Sequence, residues 1–124
     1  MSKNPQHFDA EKYKQTTLQQ WNSAAEAWHR WSPLLSRWLG PATETMLDMC
    51  AVGEGSRVLD VAAGAGEQTL TVAKRVGKYG HVMATDISPT ILEYAKSTAK
   101  LAGCANVSTH HRWRTIAWSQ SRAF

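Results

Sequence analysis

The sequence predicts an α/β protein, with N-terminal helices followed by a mostly parallel sheet whose strands alternate with helices. Three observations point that way. Apolar residues recur at helical spacing up to about residue 51, short β-branched runs alternate with helical patterns after residue 55, and turn or cap residues mark each change of period. Right-handed crossovers turn such a strand, helix, strand, helix, strand order into a parallel sheet.

Composition and charge narrow the class. A chain of 124 residues, 43% apolar and 19% charged, suits a single globular unit. No apolar run approaches the roughly 18 residues of a membrane span. The opening "MSKNPQHFDAEKYK" is too polar for a secretion signal, so a cytoplasmic location is expected. Cys50 and Cys104 form no CxxC pair and are expected to be buried free thiols. The net charge of +4 suggests nucleic acid until it is located: every acidic residue lies at or before Glu93, and Arg112, Arg114 and Arg122 carry three of the four charges. The body is nearly neutral, and no nucleic-acid partner is expected.

Residues 1–52 form the helical segment. Leu18, Trp21, Ala25 and Trp28 share one side of a helix over residues 9–31, with Gln15, Gln19, Asn22, Glu26 and Arg30 elsewhere around it. Asp9 is its expected cap and Pro33 its expected end. A second helix is predicted near residues 43–51, with Ala42, Met46, Met49 and Cys50 on one side. Trp21, Trp28, Trp31 and Trp38 are expected to build a core against the rest of the chain, the alternative being a lid over a substrate.

Residues 53–109 carry the alternation. After the Gly53 and Gly55 turn, "RVLDVAA" reads as a buried strand. A helix succeeds it from Glu67 to Val76, with Leu70, Ala73 and Val76 inward, Lys74 and Arg75 at its negative end and Gly77 as C-cap. "HVMATD" is the second strand, Ser88 and Pro89 open a helix stopped by Gly103, and "NVST" begins a third strand.

The stretch "DVAAGAGE", residues 60–67, joins the first strand to its helix. Backbone N–H groups there are unpaired, and a ligand approaches the chain closely only where side chains are absent. Gly64 and Gly66 provide that clearance. A dinucleotide fingerprint wants a third glycine where this sequence has Thr69, which disfavours a nicotinamide dehydrogenase; a phosphate-binding loop wants a lysine that is missing. Asp86, at the end of the second strand, is placed to accept hydrogen bonds from both hydroxyls of a ribose lying across the turn. The alternative is a helix-capping role, which Ser88 already fills.

"VLDVAAGAGEQTL" followed by "HVMATDIS" resembles the first two motifs of class I S-adenosylmethionine-dependent methyltransferases, whose domain has a Rossmann-like sheet. The wider stretch from Phe8 to Thr109 is similar to the branch containing the ubiquinone and menaquinone C-methyltransferases. The resemblance implies S-adenosyl-L-methionine as cofactor and Asp60, Ala62, Ala63, Gly64, Gly66, Asp86 and Ile87 as its binding residues. Ala62 stands where the family has its first glycine. Ile87 would pack on the adenine, and backbone around Ala62 to Gly64 would meet the methionine amino group. The sulfonium methyl is already reactive, so alignment suffices and no catalytic acid or base is assigned. The partner so implied is a small-molecule methyl acceptor; a non-catalytic remnant or a nucleoside-binding or interaction module is the alternative.

Residues 110–124 depart from the pattern. "HHRWRTIAWSQSRAF" has no apolar alternation and no acid, and is expected to be a disordered or frameshifted tail. Codons ending in GA at Arg112 and Arg114 would read as Asp-Gly-Glu one nucleotide later, the tripeptide this branch tends to carry after its third strand. The resemblance therefore covers the N-terminal half of a sheet, and self-association through the uncovered first-strand edge is expected. His110 and His111 are adjacent and point to opposite faces of a strand, so no metal site is expected.

Overall fold

The computed structural model describes residues 8–111. Its elements are α1 (Ala10–Met49), β1 (Arg57–Val61), α2 (Glu67–Val76), β2 (His81–Asp86), α3 (Pro89–Leu101) and β3 (Val107–His111). The third strand thus extends through His110 and His111, the first two residues of the expected tail; the remainder of that tail, residues 112–124, lies outside the described residues.

The three strands pair in parallel in the order β1-β2-β3, with Val58 beside Val82 and Val82 beside Val107. Both crossovers run in the same direction, so right-handedness puts α2 and α3 on one face, where they touch each other. Val58 and Val82 point to that face and pack with Val72, Ala73 and Val76 of α2 and Leu47 of α1. Ala84 and Leu92 form a second cluster with Ala63. Among the described residues the outer edge of β1 is unpaired, which is why "RVLDVAA" is not the buried strand its composition suggests. Only Asp60 of β1 is buried, while Leu59 and Val61 are exposed.

The caps follow the sequence. Asp9 accepts from the Lys12 amide at 2.9 Å, Ser88 accepts from the Ile91 amide at 3.1 Å, and Gly77 closes α2. Asn106, before β3, donates to the Ala73 and Gly77 carbonyls at 2.9 and 2.8 Å and satisfies the free end of α2.

The helical segment differs from expectation. Instead of ending at Pro33, α1 runs through both Pro33 and Pro41 as one helix of 40 residues, about 60 Å long at 1.5 Å per residue. An interior proline costs about 3 kcal/mol because it removes a hydrogen bond and crowds the preceding turn. Anchors on either side offset that cost. Upstream, Ala25 is buried against Ala65 and Ile91; downstream, Leu47 enters the core and Arg75 binds both Glu44 and Asp48.

The same geometry overturns the expected core. Trp21, Trp28, Trp31 and Trp38 are all exposed, Trp38 by 75%. Ala42, Met46, Met49 and Cys50 are exposed as well, because Leu47 takes the inward position on the last turns of α1. Cys50 lies at the exposed helix end and Cys104 is half-buried; they are free thiols, but not buried ones. No helix among the described residues is long and apolar enough to cross a membrane.

Candidate functional site

The turn after β1 is shaped by three left-handed residues: Ala62 (φ 59°), Gly64 (φ 61°) and Gly66 (φ 98°). Main-chain bonds tie it to β2 and to itself, Ala63 N–H donating to the Thr85 carbonyl at 2.9 Å and Gly66 N–H to the Ala63 carbonyl at 3.3 Å. Ala62 bears the strain of this conformation, about 1 kcal/mol for a residue with a Cβ.

The two glycines do different work. A Cβ on Gly64 would meet nothing within 4 Å, so its bareness keeps the surface open. On Gly66 a Cβ would lie 2.9 Å from both Cα and Cβ of Ala95, so that glycine lets α3 approach the start of α2. Gly66 is also the N-cap of α2 and supplies no capping side chain, which leaves the amides of the first helical turn available to a ligand.

The two acids also differ. Asp60 is 6% exposed, and its Oδ2 accepts the Thr69 hydroxyl at 2.7 Å. Burial pushes its carboxyl above the usual range; the Thr69 bond opposes this and nearby Asp86 adds to it. Thr69 occupies the position of the third glycine in a dinucleotide turn and fills that space with a side chain bound to the strand. Asp86 is half-buried, with Oδ2 accepting from the Gly64 amide and Oδ1 from the Ser88 amide, each at 3.0 Å. Each oxygen retains a lone pair for a ligand donor.

A cleft of about 470 Å³ opens over the turn, within the usual range for small-molecule sites. Ala62, Ala63, Gly64, Asp86 and Ile87 line it from the sheet side, with Trp21, Trp28 and Thr17 of α1 opposite. The tryptophans read from the sequence as core are therefore partly a roof: Trp21 and Trp28 lie 6.0 Å apart, tilted by 45°. A second hollow of about 290 Å³ is bordered by Ala62 and Ala63 together with Asp60, Thr43, Gln68 and Glu67. Glu67 borders both spaces, and burial raises its carboxyl above the ordinary value, against the effects of its own backbone amide and of His29.

Of the residues singled out in the sequence, Ala62, Ala63, Gly64, Asp86 and Ile87 meet in the larger cleft, Asp60 borders the smaller, and Gly66 lies in neither lining. Glu67, Thr17 and Asn22 were missed. Glu67 was signalled by its place directly after the last turn glycine. Asn22, assigned above to a side of α1 away from the apolar stripe, instead accepts the Ser88 hydroxyl at 2.5 Å. Asn22, Ala25 and His29, at spacings of three and four, form the stripe that touches α3, with His29 stacked on Tyr94 at 4.4 Å.

A strand-end carboxylate facing a glycine turn, beneath a helix and beside an uncapped helix start, suits a nucleoside ligand. Residues 53–112 match a family described as a methyltransferase domain. The aklanonic acid methyltransferase DauC of Streptomyces sp. (strain C5) is 29% identical over 96 residues, 77% of this chain and 42% of that protein. The demethylmenaquinone methyltransferase of Staphylococcus aureus (strain Newman) is 39% identical over 66 residues, 53% of this chain and 26% of that one. The crystal structure of a SAM-dependent methyltransferase from Aquifex aeolicus superposes with a TM-score of 0.53 at 33% identity, covering 56% of this chain and 37% of that one. Over the matched segment, residues 53–112, the chain is similar to a methyltransferase domain, and the relatives it matches are named as methyltransferases. It spans less than half the length of these relatives.

Proposed function

We propose that the chain binds S-adenosylmethionine in the cleft between α1 and the glycine turn and serves methyl transfer to a small-molecule acceptor. The Asp86 Oδ2 bond to the Gly64 amide carries this reading, because it places the carboxylate and the bare turn at one end of a common space. The residues fit the cofactor on chemistry as well. Asp86 offers a carboxylate to the ribose hydroxyls, Ile87 an apolar flank to the adenine, and the uncapped start of α2 its free amides. Glu67 borders both hollows, where its carboxylate favours the ammonium group of the zwitterionic methionine end.

When bound, the cofactor supplies a methyl group activated on a sulfonium. The chain's own part is alignment and exclusion of water, for which Trp21 and Trp28 are placed over the turn. No side chain is assigned a proton transfer. The 39% identity to a demethylmenaquinone methyltransferase supports placement in the quinone C-methyltransferase branch.

Titration calorimetry with S-adenosylmethionine and its demethylated product tests the reading. Saturable one-site heat from both is expected. Folded protein that gives no heat with either would remove the cofactor assignment, while binding without turnover on any acceptor would favour a nucleoside-binding module.

A further inference from the structure

A continuous hydrogen-bond path runs from α1 to the glycine turn. Asn22 Oδ1 accepts the Ser88 hydroxyl at 2.5 Å; the Ser88 amide donates to Asp86 Oδ1 at 3.0 Å; Asp86 Oδ2 accepts the Gly64 amide at 3.0 Å. Ser88 is fully buried and holds two posts at once, since its Oγ also accepts the Ile91 amide at 3.1 Å as the cap of α3. That hydroxyl has a single proton, and Asn22 is where the proton points.

We infer that Asn22 is a positioning residue for the cofactor: by fixing Ser88, it holds the Asp86 carboxylate at the turn in the orientation that receives a ribose. This rests on the proposed placement of the ribose at Asp86. With Asn22 in place, the Ser88 hydroxyl has one orientation, and the backbone that presents its amide to Asp86 Oδ1 is held from α1 as well as from α3. Without Asn22 a buried hydroxyl loses its acceptor, and Ser88 relaxes around the cap it must still make. The Asp86 oxygens then lose part of their preorganisation. The consequence is linkage: docking of α1 and binding of a ribose favour each other, because both draw on one orientation of Ser88. Asn22 itself is absent from the cleft lining, so its effect is transmitted rather than made by contact.

The test uses the full chain and two probes, S-adenosylhomocysteine and its 2′-deoxy analogue. The wild type is expected to prefer the ribose form by about tenfold or more, the worth of a hydrogen bond to a carboxylate. Asn22→Ala is expected to lower affinity for the ribose form about fivefold and for the deoxy form less than twofold, so the preference shrinks. Asn22→Asp, which keeps the acceptor oxygen, is expected to retain more of the preference than Asn22→Ala and serves as the folded control if the alanine variant melts. If folded Asn22→Ala weakens both probes equally, Asn22 merely anchors α1 and the inference falls; where only Asn22→Asp folds, a loss of its preference despite the retained acceptor oxygen overturns the inference. A preference unchanged in Asn22→Ala overturns it too. A wild type that binds both probes alike would instead sink the ribose placement itself.

Discussion

The two sides of the turn after β1 meet the same residue types, an acid of the neighbouring strand beside a turn glycine, for different ends. On the inner side, Asp60 is buried under Thr69 and Gly66 is bare because Ala95 of α3 presses on it. On the outer side, Asp86 stays half-buried beside Gly64, whose missing side chain leaves open space. An acid and a glycine therefore build the scaffold on one side and border an open cleft on the other. What separates the two roles is what occupies the neighbouring space: a helix of the chain itself, or a cleft.

The strongest test of that division is Gly66→Ala. A Cβ 2.9 Å from Ala95, on a residue with φ of 98°, combines a clash with backbone strain, and a loss of about 3 kcal/mol in folding stability is expected. Chemical denaturation measures it; a loss below about 1 kcal/mol would mean that α3 yields and that Gly66 is not a packing glycine.

Asp86→Ala probes the outer side. Cofactor affinity should fall roughly 10- to 100-fold, as expected when hydrogen bonds to a charged group are removed. Calorimetry decides, and unchanged affinity would transfer Asp86 to the scaffold side of the comparison.

Asp60→Asn gives the smallest effect and a pH signature. A folded pKa raised above 3.8 means that the folded state holds its proton more tightly than the unfolded chain does. Stability from this group is therefore greatest at low pH and declines as pH rises from about the unfolded value through the raised one. The amide keeps an acceptor for Thr69 without the buried charge, so the variant should gain on wild type at neutral pH. That gain should shrink as pH falls through the Asp60 titration. A difference independent of pH between about 4 and 7 would show that burial does not govern Asp60.

The sheet half of the chain was legible because its signals are local. β-branched runs, Gly77, Ser88 with Pro89, and Gly103 each act within a few residues, and β2 matches "HVMATD" in full. The helical half was not, because its outcome depends on contacts far along the chain. Pro33 is a valid local stop signal, overridden by Ala25 on one side and by Leu47 and Arg75 on the other. The tryptophans set the apparent apolar stripe of α1, yet the stripe that packs on α3 is Asn22, Ala25 and His29, one residue further round. Size and hydrophobicity pointed to Trp21 and Trp28, while the close contact with α3 needed the small Ala25. The site divides likewise. Gly64 and Asp86 carry recognisable spacing, but that Gly66 serves α3 and that Asn22 reaches Ser88 are facts of tertiary packing.

A crystal structure of the chain with S-adenosylhomocysteine bears most directly on the central claim. The ribose hydroxyls are expected within hydrogen-bonding distance of the Asp86 carboxylate, with the sugar against Gly64 and beneath Trp21. A nucleoside bound elsewhere, with Asp86 engaged only by the Gly64 and Ser88 amides, would contradict it.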